Sequence, residues 1–411
     1  MTLIEFFDSS ATENIVGILY AAPERAVFVG DRRRKMEKAL GIYRTFLAKK
    51  GISTSLSYKA VNRNKLSNII AVFSEIIEEN EECVFDLTGG EELYLVAVGI
   101  LLERYPERVR VRRFNLNAQT ASDPATDTSL PLPAFALSAE DNIAIHGGTV
   151  VKEGMGAVHT HTWELSDEFF DDVDKIWQIA QPAPRFWNAQ TTLLGLIDAW
   201  AGKEESLTLT FSQEKAEKML LQKGWRTSCD SYFLSSLSRA GLIRLRSSSV
   251  GDEISFSYKD AQTKRILTTA GLALELKIAK HMRLLRDGDG ALYNDVRVGI
   301  VIDWDITEEE NAPHTFNEID VIAMKDTIPV FISCKNGDID MDELYKLSSV
   351  AYRFGGKYTK KVLIATELDK LGPKAEYVRA RAEDMEIRLI EDVDKMSDGE
   401  LDRVLRSVWS N

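Results

Sequence analysis

Cysteine is scarce in this chain. The three thiols, Cys83, Cys229 and Cys334, lie far apart with no CxxC spacing, so neither a disulfide framework nor a zinc knuckle is signalled and a reducing cytoplasm is the expected setting. Long apolar runs are missing as well. No stretch of about 18 apolar residues occurs, and the opening MTLIEFFDSSATENIVG lacks a basic segment followed by an apolar one, so neither a membrane span nor a secretory leader is expected. A basic surplus is also absent: the formal charge is -13, which argues against coating nucleic acid by bulk electrostatics but leaves room for a local groove assisted by a cation. Neither GxGxxG nor GxxxxGK[ST] is present, which removes the NAD fingerprint and the P-loop.

What is there reads as an α/β multidomain protein. The 411 residues are 44% apolar and 28% charged, the balance of a globular chain of about two or three domains. Residues 1–117 alternate strand and helix patterns: LIEFF, then ATENIVGILYA, AVFVG, MEKALGIYRTFLAKKG, and so on to RVRVRRFNLN. Alternation at these lengths predicts parallel crossovers and a doubly wound, Rossmann-like sheet. Residues 118–141, rich in Pro, Ser, Thr and Asp, read as a linker or exposed excursion, closing a first domain at 1–141. In 142–270, IAIHGGTV and RILTT read as strands, and SYFLSSLSRAGLIRLR followed by EISFSY outlines a winged-helix-like module within a connector. Residues 271–411 form a third α/β unit.

That last unit holds the densest chemistry. TFNEIDVIAM, KDTI and PVFISCKNG predict an antiparallel hairpin. Because side chains two apart share a strand face, Glu318 and Asp320 should point together, as should Ser333 and Lys335. With the turn at Asp326 and Thr327, Asp320 faces Ser333 and Glu318 faces Lys335. This suits metal-assisted phosphodiester hydrolysis: Asp320 and the backbone carbonyl of Cys334 offer oxygen ligands to Mn²⁺ or Mg²⁺, and Lys335 can hold the attacking water. A salt-bridged sheet face is the alternative. The apolar neighbours Ile319, Val321, Phe331 and Ile332 argue against it, since buried charges are rare without a purpose.

A helix acid, a strand with Asp320, a strand with Lys335 and a following helix together resemble the PD-(D/E)xK nuclease superfamily, with NEIDVIAM and ISCKNG closest to archaeal Holliday-junction-resolvase and RecB-like members. The resemblance implies Asp320 as metal-binding acid, Lys335 as catalytic lysine and Glu275 in ALELK as helix acid. It departs at Ser333, where the superfamily carries Asp or Glu, so either Glu318, Asp303 or Glu275 supplies that carboxylate or the activity is altered; Asp303 and Asp305 are alternatives for the helix acid.

Upstream, CVFDLTGGEE runs into LYLVAVGILL and places Thr88, Gly89 and Gly90 at a strand end and a helix start, where open α/β sheets bind phosphate. A domain of this kind, a winged-helix-like middle and a PD-(D/E)xK end in one chain resemble the CRISPR-associated Rossmann-fold (CARF) effector nucleases of type III systems. That resemblance implies a cytoplasmic homodimer that binds cyclic tetra-adenylate and cleaves single-stranded RNA or DNA, or nicks duplex DNA. By position, Ser9, Ser10, Thr12, Thr88, Gly89, Gly90 and Glu91 would contact the ligand, and Asn62, Arg63 and Asn64 would read ribose or base. Arg32, Arg33, Arg34 and Lys35 form a solvated helix start or a phosphate contact; His159 and His161 lack a third ligand and read as structural. The competing readings are a ligand-sensing transcription regulator with a degenerate nuclease domain, and a constitutive repair or restriction nuclease.

Overall fold

The structure is a computed structural model that describes residues 1–8, 10–131, 135–155, 158–201, 206–222, 228–246, 253–304, 315–337 and 339–409. Ser9 and Asp305 lie outside the described residues.

The apolar runs of the first third become strands buried on both faces, which is what parallel strands require. These are β1 (Thr2–Phe6), β2 (Arg25–Gly30), β3 (Ser55–Ala60), β4 (Cys83–Asp86) and β5 (Val109–Asn115), all parallel. They alternate with α1 (Ala11–Ala21), α2 (Arg33–Lys49), α3 (Leu66–Glu78) and α4 (Glu92–Arg104). Each crossover helix buries a stripe at helical spacing, such as Ile69, Phe73, Ile76 and Ile77 on α3. The region expected to be a linker or exposed excursion is a largely exposed ribbon that extends the sheet: β6 (Thr120–Asp123) and β7 (Thr128–Leu130) pair antiparallel, giving the order β3-β2-β1-β4-β5-β6-β7. An edge ribbon needs few apolar residues, and here Ala121 is the one that is buried.

Two expectations are corrected in the middle of the chain. IAIHGGTV splits into α5 (Ala139–Ile145) and a short strand β8 (Thr149–Val150), because Ser138 and Asp141 form a reciprocal capping box that starts a helix. RILTT lies in a helix; the series runs α6 (Asp167–Ala180), α7 (Pro184–Ala201), β9 (Thr208–Ser212), α8 (Gln213–Gln222), α9 (Ser231–Arg239), β10 (Ile243–Arg246), β11 (Glu253–Tyr258) and α10 (Ala261–Thr268). Asp260 Oδ1 accepts the Thr263 N–H at 2.7 Å and initiates α10, overriding the β-branched propensity of the segment. β9, β10 and β11 form an antiparallel sheet in the order β10-β11-β9.

The final unit contains α11 (Leu272–Leu284), β12 (Arg286–Asp287), β13 (Gly290–Ala291), β14 (Asp295–Asp303), β15 (Phe316–Lys325), β16 (Ile328–Asn336), α12 (Met341–Phe354), β17 (Lys360–Thr366), α13 (Pro373–Asp384), β18 (Arg388–Ile390) and α14 (Asp398–Arg406). Its sheet runs β18-β17-β16-β15-β14-β8, antiparallel from β16 to β8 and parallel from β16 to β18. The expected hairpin forms with its turn at Asp326 and Thr327.

One local irregularity positions the chemistry. Val298 and Val321 pack into the apolar cluster on the α11 side of this sheet, whereas Ile300 and Ile319, each two residues away, pack into the cluster on the α12 side. A regular strand would keep residues two apart on one face. Both strands therefore invert their alternation at the same place, where Gly299, at φ +61°, stands opposite Asp320 in the β14–β15 register. The α12-side cluster continues without a break into the first unit, joining Ile300, Phe331 and Leu347 to Leu3, Ile15, Phe28 and Leu40.

Candidate functional site

Asp320 sits at the inversion, beyond the last paired residues Val321 and Ile332 of the β15–β16 ladder. Its Oδ2 takes over where the ladder stops, accepting the Cys334 N–H at 2.7 Å and the Ser333 hydroxyl at 3.1 Å. Lys335 Nζ lies 3.7 Å from the same oxygen. The expected facing of Asp320 and Ser333 is thus present as a direct hydrogen bond. The regular alternation on which Glu318 and Asp320 were expected to share a face is broken between Ile319 and Val321, yet both residues line one small pocket with Ser333 and Glu343.

Glu275 on α11, Glu318 and Asp320 nevertheless stand within electrostatic reach of one another. Burial, then the charges of Asp320 and Glu318, push the Glu275 carboxyl well above its usual range. Burial and Asp320 likewise raise Glu318. Burial alone would lower the Lys335 ammonium, but Asp320 and Glu343 hold it above its ordinary value. Glu343, in the first turn of α12, was not singled out from sequence; its Oε2 lies 3.0 Å from Lys335 Nζ and its Oε1 3.2 Å from Lys346. The acidic start of DELYK after the lysine strand is the signal that could have found it. Asp303 is not brought beside Asp320: it lies four residues along β14 from Gly299, on the order of 13 Å at strand rise.

The donor set is one of carboxylate oxygens, the kind hard divalent cations take. Its crowded, charge-strained acids Glu275 and Glu318 are what a cation would relieve. Among the described residues, however, no three His, Cys, Asp or Glu side chains already converge closely enough to hold a metal ion.

The second site lies in the first unit, at the carboxyl ends of the neighbouring strands β1 and β4, whose crossovers leave in opposite directions. This is the position at which open α/β sheets bind ligands. A cleft of about 890 Å³ opens there, with Asp8, Ser10, Glu13, Thr88, Gly89 and Gly90 among the lining residues. Cations come from Lys35 and Arg113 on the sheet side and from Arg353 and Lys357 beyond it. A smaller adjoining pocket of about 400 Å³ shares Asp8, Lys35, Gly90 and Arg353 and adds Arg32 and Glu91.

Gly90 adopts φ +104°, and a β-carbon there would come within 2.5 Å of the Phe6 ring, so only glycine fits this turn. The Thr88 hydroxyl is engaged internally, donating to Asp86 and accepting the Phe114 N–H at 2.9 Å. Thr12 is buried, and among the described residues its hydroxyl has no hydrogen-bond partner. Glu91 is paired with Arg63 at 2.8 Å, which answers for an acid beside a phosphate-sized cleft, and Arg63 also reaches Asp31 at 3.2 Å. Asn62 is not brought into the cleft: it caps its own turn, accepting the Asn64 N–H, at the end of β3, two strands from β1. His161 stacks edge-on against Trp163 and burial pulls its pKa down to about 4.

Beneath the cleft lies a nest of buried acids. Glu5 is pushed well above its usual range by burial and then by Asp86, and burial raises Asp86 itself to about 6. Glu13 is raised to about 7, first by burial and then by Asp8.

No family model matches this chain, and no curated protein matches it in sequence. Solved structures do share its fold. Protein VC1899 from Vibrio cholerae is similar over 100% of this chain and 99% of its own, with a TM-score of 0.72 at 17% identity. Can2 from Sulfobacillus thermosulfidooxidans, solved in complex with cyclic tetra-adenylate, is similar over 100% of this chain and 99% of its own, with a TM-score of 0.65 at 16% identity. Among the described residues no helix is long and apolar enough to cross a membrane.

Proposed function

We propose that this chain is a CARF effector nuclease of type III CRISPR defence, activated by cyclic tetra-adenylate and cutting single-stranded RNA or DNA with the help of Mn²⁺ or Mg²⁺. In this reading residues 1–141 sense the ligand, 142–270 connect through a winged-helix-like module, and 271–411 form a PD-(D/E)xK nuclease; the protein works as a cytoplasmic homodimer. The observation that carries it is the placement of Lys335, only 23% exposed, 3.7 Å from Asp320 at the mouth opened by the splayed strands β15 and β16. Asp320 and Glu343 keep this part-buried lysine charged, a fixed cation of the kind that can stabilise a phosphate undergoing cleavage. The switch-point cleft with cations on both walls supports the sensor half, and the full-length likeness in fold to a protein solved with cyclic tetra-adenylate supports the choice of ligand.

In the cleavage step Asp320 would anchor a divalent cation, with Glu318 and Glu275 the candidates to replace the acid absent at Ser333, and a cation held there would lower the pKa of water and counter the charge on the phosphate. Lys335, held protonated by its acidic neighbours, stabilises the pentacovalent phosphate by a directed positive charge. Ser333 donates to Asp320 and so fixes the carboxylate that Lys335 works against.

One assay tests the whole reading: single-stranded RNA and DNA with Mn²⁺ or Mg²⁺, with and without cyclic tetra-adenylate, for wild type and Lys335→Ala. Ligand-dependent cutting that Lys335→Ala abolishes is the expected result. Cutting that ignores the ligand removes the sensor and leaves a constitutive nuclease. The helix–strand–helix–helix–strand–strand order of α7 to β11, with Ser333 in place of an acid, favours a transcription regulator as second reading; sequence-specific DNA binding without any cleavage would establish it.

A further inference from the structure

The switch-point cleft is not lined by the first unit alone. Tyr352, Arg353, Gly356 and Lys357, from the end of α12 and the turn after it, form its opposite wall. The approach is close: a β-carbon on Gly356 would stand 2.8 Å from the Ser10 hydroxyl. The end of α12 is also tied to α5, with the Asn142 side chain donating to the Phe354 carbonyl at 2.7 Å and Arg353 to the His146 carbonyl at 2.6 Å.

The chemistry of this wall is that of a nucleotide contact. On the sheet side the cations Lys35 and Arg113 share the lining with the acids Asp8 and Glu13, whereas the wall across the cleft contributes Arg353 and Lys357 and no acid, so an anion gains most from the charge across the cleft. Lys357 is exposed and close enough to Glu13 to lower that acid's pKa; a phosphate would compete with Glu13 for it. Tyr352, 89% exposed, offers a ring face on which a base can stack.

The same helix touches the other site. α12 has 14 residues, about 21 Å of rigid rod, and its first turn carries Glu343, ion-paired to Lys335 at 3.0 Å. Resting on the nuclease and ligand assigned under Proposed function, we propose that Lys357 and Tyr352 complete the activator site from the nuclease side, and that α12 carries occupancy of that site to Lys335 by releasing the Glu343 ion pair. Ligand binding then favours an arrangement in which Lys335 is free to face the substrate, and the coupling must run both ways.

Calorimetry of cyclic tetra-adenylate on the full chain, alongside cleavage assays, tests this on wild type, Lys357→Ala, Tyr352→Ala and Glu343→Gln. Lys357→Ala and Tyr352→Ala should each weaken binding about tenfold or more at unchanged melting temperature, since both side chains are exposed. Glu343→Gln, which keeps the shape but weakens the pair, should bind the ligand several-fold tighter, by reciprocity, and cut without it. If wild type binds but both α12-end variants bind equally well, the shared site is wrong. If Glu343→Gln keeps wild-type affinity and full ligand dependence, the transmission is wrong. If wild type does not bind at all, the functional reading falls, and this inference with it.

Discussion

Glu343 Oε2 lies 3.0 Å from Lys335 Nζ, nearer than the 3.7 Å that separates the lysine from Asp320. The closest partner of the lysine is therefore on a helix that follows it in sequence, and two acids together keep it charged. A cation of this kind serves phosphoryl chemistry as a fixed charge rather than as a base. Lys335→Met should lower the cleavage rate by roughly 10²- to 10³-fold, while Lys335→Arg, which keeps the charge, retains part of it. Single-turnover cleavage with excess protein measures both, and equal losses in the two variants would contradict the role of the charge.

Ser333 marks the departure from an acidic pattern, and its hydroxyl bonds Asp320 at 3.1 Å. Ser333→Asp would bring a second carboxylate against Asp320 in a buried position. Without metal the variant should melt below wild type, because like charges repel in a poorly solvated place. Added Mn²⁺ should raise its melting temperature more than that of wild type and lower the metal concentration needed for cutting. A variant indifferent to Mn²⁺ would argue that no cation binds beside Asp320.

Gly299 faces Asp320 at φ +61°, and a β-carbon there would lie 3.5 Å from Glu318. Space is adequate but the backbone is not, so Gly299→Ala should cost about 1–2 kcal/mol in chemical denaturation. Cleavage should fall by more than that loss of folded protein explains, since relieving the strain straightens the strand and re-aims Asp320. An active, equally stable alanine variant would mean that the inversion is incidental.

Glu13 is raised to about 7 in the folded chain. A carboxyl raised on folding binds its proton more tightly when folded, so its contribution is fully present below roughly pH 4, the unfolded value, and is lost as pH rises toward 7. Glu13→Gln removes that titration. The difference in melting temperature between the variant and wild type should widen in favour of the variant from about pH 4.5 to 7.5. A constant difference would show that Glu13 does not titrate in this window.

How much of this was legible in the residues depended on what each element needs from its own segment. Buried parallel strands such as AVFVG and CVFD announce themselves, because both faces must be apolar, and the hairpin with Asp320 and Lys335 was found from its apolar flanks and its turn. The β6–β7 ribbon was not, since its residues are polar and only the neighbouring strand makes them a sheet. RILTT misled because a single cap, Asp260, outweighs several β-branched residues. The α12 wall of the cleft was illegible for a different reason: no spacing rule links a helix end to a pocket formed by residues over three hundred positions earlier, about the scale of two domains. The face inversion hid behind a lone glycine, Gly299, in an otherwise regular strand.

The apolar cluster that joins Leu3 and Phe28 to Ile300 and Phe331 bears on how such a protein can be taken apart. Cutting the chain to isolate residues 271–411 would strip β8 from the edge of the six-stranded sheet and expose the part of its α12-side face around Ile300 and Ile302 that belongs to the shared cluster, so the fragment should aggregate rather than fold, and heat should melt the intact chain in one cooperative step. For the same reason residues 271–411 cannot be exchanged freely for the matching part of a relative: a core substitution on either side of the shared cluster constrains the other.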